Sequence, residues 1–404
     1  MDYTSRNWLT LSLMGITLCA PSFLSSTPPL LAKIHTDYSQ NMKPATIKVL
    51  LNDKAEGAIL EVSGQYDIFD PNTHLPIASS ILQKKGAIYA EAEGIKWGDR
   101  FPGIHQMRIV PSNGETSILI NGIEYRGCIE IYDLDGVISI VNEVDVESFL
   151  KSTLSIQLSA INHPVLLEAL AIVARTHAYY LASRGFKAQW QVKAEEIDYL
   201  GYGVTLQHLE IERAIENTRP MILTYKSMPF AATWTENSAG RTASYASIFR
   251  KQIPAPNGIA VPIAAKEREK NHWTFSIDQQ ELATLAGLSK ITAITPYLDR
   301  ASEKTYAIHV TDGAFSQDID FLTLQKKIGK EKLKSSDFEF EMKGDKIIFK
   351  GWGKGAGVGL CLYSGLKMAN QGKSAAQILA HFFPGTQLQN TKSLGEKQTC
   401  TISP

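Results

Sequence analysis

Glycine occupies every second position from Gly351 to Gly359, in the segment GWGKGAGVG. A period of two matches the alternation of side chains along a β-strand, so the pattern predicts a strand over 351–359 with one face free of side chains. Glycine weakens a strand and occurs there mainly where a backbone or a ligand approaches closely, or where the strand bends. A bare face suits a long, flat, polar ligand such as a glycan strand. A closely packed or bent strand without a chemical role is an equal alternative.

Nucleotide binding is the competing interpretation of a glycine-rich segment. The glycines do not fit G-x-G-x-x-G, and Gly353-Lys354 is followed by Gly355 instead of Ser or Thr. The 404-residue chain has a formal net charge of zero, which gives no reason to expect nucleic acid or an anionic membrane surface as a partner. Its 44% of hydrophobic and 20% of charged residues are typical of a globular protein.

The N-terminus has the form of a secretory signal peptide. Arg6 precedes an apolar run over Trp8–Leu18 that is too short to span a bilayer, and a Ser/Thr/Pro-rich stretch comes next. We expect a signal peptide over 1–26 and an exported protein, periplasmic or associated with the cell envelope. Such a protein meets a membrane only through this segment, if the segment stays uncleaved. Cys19 offers a lipoprotein alternative, although Leu18 stands where a small residue is expected.

Neither a disulfide framework nor a metal site is indicated. Cys128, Cys361 and Cys400 remain after the leader, and an odd number at wide spacing is not a disulfide pattern. The nine histidines include no pair at helical ligand spacing, so we expect no metal and no cofactor. Outside the leader, we expect no segment with the roughly 18 apolar residues of a transmembrane helix.

Periodicity predicts an α+β fold, antiparallel and β-rich, with one long central helix and a smaller N-terminal β region. We interpret 27–45 as a linker, 46–140 as the β-rich N-terminal part, 141–388 as the core and 389–404 as a flexible tail. A short helix is expected at 147–150.

Turn and cap signals place further elements. The long helix is predicted over 164–185, with proline in its first turn and glycine at its end. Asp312-Gly313 and Gly344-Asp345 predict two hairpin turns. Ser374 and Gln377 form a capping box for a last helix.

The glycine segment and the residues after it, as far as 386, resemble the C-terminal signature of the stage II sporulation protein D/LytB (SpoIID/LytB) family, bacterial proteins that act on peptidoglycan glycan strands. The family pattern is roughly G-x-G-W-G-H-G-V-G-M-S-Q-Y-G-A, then M-A-x-Q-G, then I-L-x-H-Y-Y-P-G-T. The chain departs from it at Lys354, Ala356 and Leu362, where the family has Trp, His and Gln. The residues that match are Gly353, Gly355, Gly357, Val358, Gly359, Tyr363, Met368, Ala369, Gln371, Gly372, Ile378, Leu379, His381, Pro384, Gly385 and Thr386.

The resemblance runs in the family's order from IKVLL at 47–51 to PGT at 384–386, about 340 residues. A single matching block would be weak support, whereas the ordered set is strong. The other blocks are VNEVDVESFLKSTLSIQL, PVLLEALAIVARTHAYYLASRG, TWTENSAGRT, NHWTFSI and LKSSDF.

The resemblance implies lytic transglycosylase chemistry. One carboxyl group protonates the glycosidic oxygen and then takes the proton of the C6 hydroxyl, which closes an anhydro ring. In the family this group is the Glu of L-K-G-V-V-P-S-E-M, which aligns with 150–158 and puts Gln157 at the catalytic position. An amide cannot transfer that proton, and loss of general acid–base catalysis typically costs ~10²–10⁴-fold in rate. Gln157 can still hydrogen-bond a sugar, or be satisfied by the backbone.

TWTENSAGRT stands where the family has roughly F-H-S-T-S-G-G-x-T. Thr235 and Glu236 replace a His and a Ser, and Thr235 and Ser238 argue against the zinc that some members hold here. Glu236 is a second catalytic candidate, because this segment reaches the same cleft in the family. A solvent-facing loop residue is the alternative.

The substrate-binding candidates are implied by the same resemblance. Arg175 matches the family's A-A-R-T-Y-A, with His177 in the Tyr place, and it either serves the cleft, for instance by contacting a muramyl carboxyl, or forms an ordinary ion pair. Trp352 beside the glycines can stack on a sugar, although aromatic residues are more often core. The full set is Arg175, Ser238, Gly240, Trp352, Gly355, Gly357, Gly359 and Tyr363.

Three functions remain open. The first is an exported peptidoglycan-binding protein with weak or no cleavage, which positions or activates other wall enzymes such as an amidase or works with division proteins. The second is an active lytic transglycosylase that uses Glu236. The third is a structural module without sugar affinity. The first two depend on one expectation, that the glycine segment and Gln157 line one groove.

Overall fold

A computed structural model describes residues 45–80, 83–184, 188–202 and 208–391. The predicted signal peptide with Cys19, nearly all of the predicted linker, and Cys400 lie outside these ranges. The predicted tail lies outside them from residue 392 onward, and its first residues, 389–390, belong to a strand.

Strands make up the N-terminal part of the described chain, as the sequence predicts. They are β1 (Thr46–Ala55), β2 (Ala58–Ser63), β3 (Tyr66–Phe69), β4 (Pro76–Ser80), β5 (Lys84–Glu91), β6 (Gly94–Trp97), β7 (Asp99–Pro102), β8 (Gln106–Pro111), β9 (Ser117–Ile120), β10 (Ile123–Tyr125), β11 (Cys128–Leu134), β12 (Val137–Asp145) and β13 (Val192–Lys193). They form two antiparallel sheets, with the strand orders β13-β1-β12-β11-β8-β3-β4 and β10-β9-β2-β5-β6-β7. Only the short β13 adds to its neighbour β1 in parallel.

Alternating apolar residues form the core of this part. Ile47 and Val49 in β1 are fully buried, and so are Leu60 and Val62 in β2. The rings of Tyr66, in the first sheet, and Trp97, in the second, lie 5.7 Å apart. The inner faces of the two sheets therefore share one hydrophobic core, which is the main source of stability in such a fold.

Helix α1 (Val146–Gln157) follows β12 directly and is longer than the helix expected at 147–150. The Asp145 side chain caps it by accepting from the Ser148 amide. Ser and Thr in the second half weaken the sequence signal for a helix because their hydroxyls compete for backbone groups. Here those hydroxyls stay within the helix, with Thr153 Oγ1 donating to Phe149 O at 3.0 Å and Ser155 Oγ to Lys151 O at 2.6 Å.

Helix α2 (Pro164–Arg184) confirms the long central helix, with Pro164 at its first position. Every residue from Ala169 to Thr176 is buried, so the helix is surrounded by protein on all sides. Over Pro164–Ser183 it has the length and mean hydropathy (1.3) of a membrane-crossing helix, although we expected no such segment outside the leader. Because 67% of that stretch is buried, it has the character of a core helix.

The remaining elements form small sheets around α2 and a separate hydrophobic cluster. The strands are β14 (Met221–Tyr225), β15 (Trp234–Thr235), β16 (His272–Asp278), β17 (Ala293–Leu298), β18 (Thr305–Thr311), β19 (Ser316–Asp320), β20 (Phe338–Lys343), β21 (Lys346–Trp352), β22 (Leu360–Cys361) and β23 (Thr386–Asn390). The helices are α3 (Leu209–Asn217), α4 (Tyr245–Phe249), α5 (Pro262–Lys266), α6 (Gln279–Ala286), α7 (Phe321–Ile328), α8 (Leu362–Asn370) and α9 (Ala375–Phe382), with 3₁₀ turns at Ala194–Glu196 and Glu269–Asn271. Both predicted hairpins are present, with β18 pairing β19 across Asp312-Gly313 and β20 pairing β21 across Gly344-Asp345. The Ser374–Gln377 capping box is confirmed at α9.

The fold is therefore α+β and largely antiparallel, as predicted. The strands β16, β20 and β21 form one three-stranded sheet, and β17, β18 and β19 form another. These two sheets share a core that includes Trp273, Ile308 and Phe349. Val358 of the glycine-rich segment belongs to this second core, and Ala356 packs against it.

Candidate functional site

The glycine-rich segment is not the extended strand that its spacing predicts. Strand β21 ends at Trp352, and Gly353, Gly355, Gly357 and Gly359 all have positive φ angles, from 70° to 99°. Left-handed backbone at every second residue coils the chain into a loop, which we call the glycine loop (353–359). Spacing alone cannot distinguish this loop from a strand, because both place glycine at alternate positions.

The glycines are required because protein atoms occupy the places where side chains would lie. A Cβ on Gly353 would collide with the Asn237 carbonyl oxygen, and one on Gly359 with that of Thr233. A Cβ on Gly357 would collide with the side chain of Lys304. The loop therefore presents no bare face of the kind that we expected for a ligand. Its glycines serve close packing, the alternative that the sequence left open.

Backbone hydrogen bonds hold the glycine loop between two other segments. On one side, Asn237 N donates to Lys354 O (2.9 Å) and Lys354 N to Asn237 O (3.0 Å). On the other side, Gly355 N donates to Lys334 O at 2.8 Å. The Ser336 hydroxyl adds a bond to Ala356 O. The TWTENSAGRT and LKSSDF segments thus meet across the glycines.

A buried cluster of charged side chains lies beneath the loop, and no sequence pattern pointed to its lysine. Lys304 is 1% exposed, and its ammonium donates to Ser238 O (3.0 Å) and to Asp337 Oδ2 (3.1 Å). The Arg268 guanidinium donates to both oxygens of Asp337, at 2.8 and 2.9 Å. Burial lowers the pKa of Lys304, and the Asp337 carboxylate opposes that shift. The one available signal was Asp337, which lies in the family block LKSSDF.

Glu236 lies on the outside of the same segment. Its side chain is 57% exposed and forms an ion pair with Lys354, with 3.1 Å between Oε2 and Nζ. Its carbonyl oxygen accepts from the Tyr363 amide at the start of α8. Glu236 thus presents an accessible carboxylate to Lys354 of the glycine loop, and its backbone carbonyl contacts Tyr363.

Ser238 lies inside the protein, and Gly240 is half-buried. Ser238 is fully buried, its amide donates to the Cys361 sulfur at 3.4 Å, and its hydroxyl has no hydrogen-bond partner among the described residues. Gly240 has a φ of 112° and packs against Ala265. Both therefore shape the TWTENSAGRT segment, and the buried Ser238 is not exposed to a ligand.

Trp352 lies at the edge of the site, where one ring face is already occupied. The guanidinium of Arg268 lies 4.3 Å from the ring centroid, and the His272 ring packs at 5.5 Å. A cation over the indole face is a favourable arrangement that leaves less of the ring for a sugar.

Arg175 is fully buried in α2. Its Nε and Nη2 donate to the two carboxylate oxygens of Glu147 at 2.8 and 2.9 Å. Its remaining donors reach the carbonyl oxygens of Ile215, Thr218 and Met221. All of its hydrogen-bonding capacity is taken up by protein, so the observed geometry is that of an ion pair that joins α1, α2 and α3.

Gln157 is the last residue of α1, and its side chain is exposed. Its Nε2 donates to the Ile197 carbonyl oxygen at 3.0 Å, which leaves the amide oxygen directed away from that bond. The position that aligns with the family's catalytic carboxyl is accordingly accessible, and it is oriented by a backbone acceptor.

No described hydrogen bond joins Gln157 to the glycine loop. Gln157 precedes α2 by a short connection. The Leu166 side chain, in the first turns of α2, packs against Gly365 of α8, where a Cβ would lie 3.0 Å from it. In the same helix, the backbone amide of Tyr363 donates to the carbonyl oxygen of Glu236. The structure thus brings Glu236, Lys354 and Tyr363 together with the glycines, and connects Gln157 to them through α2 and α8.

Among the described residues, no group of three or more His, Cys, Asp and Glu side chains is arranged to hold a metal ion. A small, mainly apolar cleft opens beside Val358 and Gly359, between Tyr245 and Phe383. Its lining offers few polar groups for a sugar.

Comparison with known proteins decides the family. A family model described as Stage II sporulation protein (SpoIID) matches residues 135–225. Stage II sporulation protein D of Bacillus subtilis is 25% identical over 279 residues, 64% of this chain and 78% of that protein. The corresponding protein of Bacillus amyloliquefaciens is 27% identical over 280 residues, 64% of this chain and 78% of its own length.

Residues 135–225 of the chain form a SpoIID-family region. An uncharacterised protein of Chlamydia pneumoniae is 36% identical over 179 residues, which span 44% of this chain and 65% of that relative. SpoIID membership suggests a protein of the cell wall or of sporulation. The region that the SpoIID model matches contains Gln157 and Arg175, and it ends before Glu236 and the glycine loop.

Proposed function

We propose that this SpoIID protein is exported and binds peptidoglycan glycan strands during wall remodelling or division, with weak or absent cleavage. The observation that carries the proposal is Gln157. In our alignment it falls at the family's catalytic position, its side chain is exposed, and its amide can hydrogen-bond a sugar and cannot deliver a proton. A protein with this residue can bind a glycan strand but lacks, at this position, the carboxyl group that would cleave it.

The Glu236 surface supports the binding part of this proposal. Glu236 and Lys354 offer a carboxylate and an ammonium, and the half-buried Tyr363 follows at the residue whose amide binds the Glu236 carbonyl oxygen. Glycan-binding surfaces combine such polar groups with aromatic rings. The role of the bound protein would be to position or activate a partner such as a wall amidase.

Two assays test the proposal. Purified protein is first incubated with insoluble sacculi, and co-sedimentation is expected. Release of new anhydro ends from denuded glycan strands is then measured, and no release above the buffer control is expected. Protein that stays in the supernatant would favour a structural module without sugar affinity, and rapid formation of anhydro ends would favour an active enzyme.

An active lytic transglycosylase that uses Glu236 is the second candidate. It is favoured by the exposure of Glu236 and by its contacts with Lys354 and Tyr363. Glu236→Gln would abolish cleavage under this alternative, whereas Glu303→Gln is the matched control. Glu303 is also exposed and also pairs with a cation, since its Oε2 lies 3.2 Å from Nη1 of Arg241. Cleavage that survives Glu236→Gln would exclude this second candidate.

A further inference from the structure

A loop with closed ends forms one wall of the apolar cleft beside Gly359. Its ends meet where Thr242 N donates to Ile259 O at 2.8 Å and Ile259 N donates to the Thr242 hydroxyl at 2.9 Å. The residues between them, 243–258, form an Ω-loop, a compact type of surface loop that often has a function. The loop begins with α4, and we call its later part, residues 251–257, the strap.

Both ends of the strap are held in place. Arg250, just before it, has a φ of 54°, and its guanidinium lies 4.9 Å from the centroid of the Tyr306 ring. Gly258, just after it, lies so close to the Thr242 carbonyl oxygen that a Cβ would collide with it. Hinges are usually a few such residues at the ends of a loop, which absorb the change in backbone angles when the loop moves.

The strap itself is weakly bonded to the rest of the protein. Among the described residues, its one hydrogen bond runs from Ile253 N to Lys251 O and so stays within the strap. Its contact with the cleft is made by Ala255, Pro256 and Asn257, of which only Pro256 is buried. A segment with few hydrogen bonds and little buried apolar surface opens at a low cost in free energy.

Aromatic side chains line the cleft together with the strap. Phe230, Phe382 and Phe383 are each at most 4% exposed. Val358 and Gly359 of the glycine loop also contribute to the lining. Because the strap is the weakly bonded wall, its movement would expose these rings to water while the other walls stay in place.

His177 of α2 lies beside the cleft. Its Nδ1 is 2.8 Å from Ala232 O, in the segment 230–233, most of which lines the cleft. Burial lowers the pKa of His177, and Lys251 of the strap lowers it further. Within the described ranges, Lys251 is the one charged group that shifts this pKa, and the nearest titratable ring is that of Tyr180, at 5.9 Å.

We propose that the strap is a lid that covers the apolar cleft at neutral pH and opens in acid when His177 takes up a proton. Opening carries Lys251 away and admits water, so the pKa of His177 returns toward its unperturbed value of 6.5. The state that binds the proton more readily gains population as the pH falls. The closed lid is therefore favoured above pH 6.5, and the open lid gains below it. The proposal does not depend on glycan binding.

Hydroxyl-radical footprinting of the full chain at neutral pH and near pH 5 tests the lid, because it records which side chains water reaches. Oxidation of Phe230, Phe382 and Phe383 reports on the cleft. Oxidation of Phe349, which is fully buried in the second core, reports on unfolding of the whole protein.

Three variants assign the effect. His177→Gln removes the group that takes up the proton. Lys251→Gln changes only an exposed side chain of the strap, so it tests the lid even if the first variant folds poorly. His381→Gln is the matched control, because burial also lowers the pKa of His381 and its ring lies 4.9 Å from that of Phe382 in the cleft lining.

In the wild type, oxidation of the three cleft phenylalanines should rise in acid with the open population, by as much as about tenfold for each unit by which closure lowers the pKa of His177. His177→Gln should abolish the rise, Lys251→Gln should reduce it, and His381→Gln should leave it unchanged. No rise in the wild type, or an undiminished rise in either of the first two variants, would overturn the lid. So would a parallel rise at Phe349, since it would mean that acid unfolds the protein as a whole.

Discussion

The carboxylate of Glu147 accepts two parallel hydrogen bonds from the guanidinium of Arg175, of 2.8 and 2.9 Å. This pair joins the first turn of α1 to the middle of α2, and the remaining donors of Arg175 hold the chain around Thr218. The residue that resembles a ligand-binding arginine in sequence is thus placed to fix the helices that present Gln157.

Replacing Arg175 with Met should destabilise the protein strongly. The change leaves the Glu147 carboxylate and several carbonyl oxygens without partners inside the protein, and breaking one side of a buried pair typically costs about 3–5 kcal/mol. Chemical denaturation measures the loss. Arg213→Met is the control, because Arg213 pairs with Glu210 on the surface and its removal should change stability little. Unchanged stability combined with lost strand binding would instead support a direct contact between Arg175 and the glycan.

Replacing Gln157 with Glu should introduce or raise cleavage of denuded strands. The amide now donates to Ile197 O, and a carboxyl can keep that bond only in its protonated form. The carbonyl therefore favours the protonated acid that the first half of the reaction needs. An increase in anhydro ends of up to ~10²–10⁴-fold is expected, and Gln157→Ala should show none. A Glu variant as inactive as the Ala variant would mean that other parts of the site have also been lost.

Gly359→Ala should be far more damaging than Gly372→Ala. Both glycines have φ near 80°, which costs an L-residue about 1–2 kcal/mol. A Cβ on Gly372 meets nothing within 4 Å, whereas one on Gly359 meets the Thr233 backbone. The Gly359 variant should lose about a further 1–3 kcal/mol from overpacking, measured as a shift in the unfolding midpoint. Similar losses of stability in the two variants would show that the glycine loop can shift to accommodate a Cβ at Gly359.

Acid should destabilise the protein through His177. Burial lowers the pKa of His177, despite its hydrogen bond with Ala232 O, and Lys251 lowers it further. Below pH 6.5, its unperturbed value, the unfolded chain binds a proton that the folded protein resists. This contribution to stability is complete above pH 6.5 and is lost as the pH falls toward the lowered value.

His177→Gln should therefore flatten the stability profile between pH 7 and pH 5, as followed by thermal unfolding across that range. The exposed His272→Gln serves as the control and should keep the wild-type slope. Identical slopes for the His177 variant and the wild type would assign the acid sensitivity to other groups.

Short sequence patterns correctly predicted the helix ends and turns that are determined by residues close together in the chain. Pro164 at a helix start, Asp312-Gly313 between two strands and the Ser374–Gln377 pair each act within one turn of the chain, and each is confirmed. The pattern at 351–359 predicted the wrong conformation because alternating glycines suit both an extended chain and one whose φ alternates in sign. The choice between them is made by Thr233, Asn237 and Lys304, which are distant in sequence.

The site could be predicted only as far as the family resemblance carries it. The sequence proposed Gln157 and Glu236 as candidates, but the partners that define their surroundings, Ile197 and Lys354, depend on tertiary structure. Lys304 carried no signal, because a lysine is ordinarily exposed and this one is buried only through Asp337 and Ser238.

Strand β14 is the last element within the stretch that the family model matches. Along its whole length it pairs with β23, near the C-terminal end of the described chain. A fragment cut at the limits of the family match would carry an unpaired strand edge there, although it would keep Arg175 together with its partners Glu147, Ile215, Thr218 and Met221. The region that the family model matches is therefore smaller than the region that must fold together, which extends at least to β23.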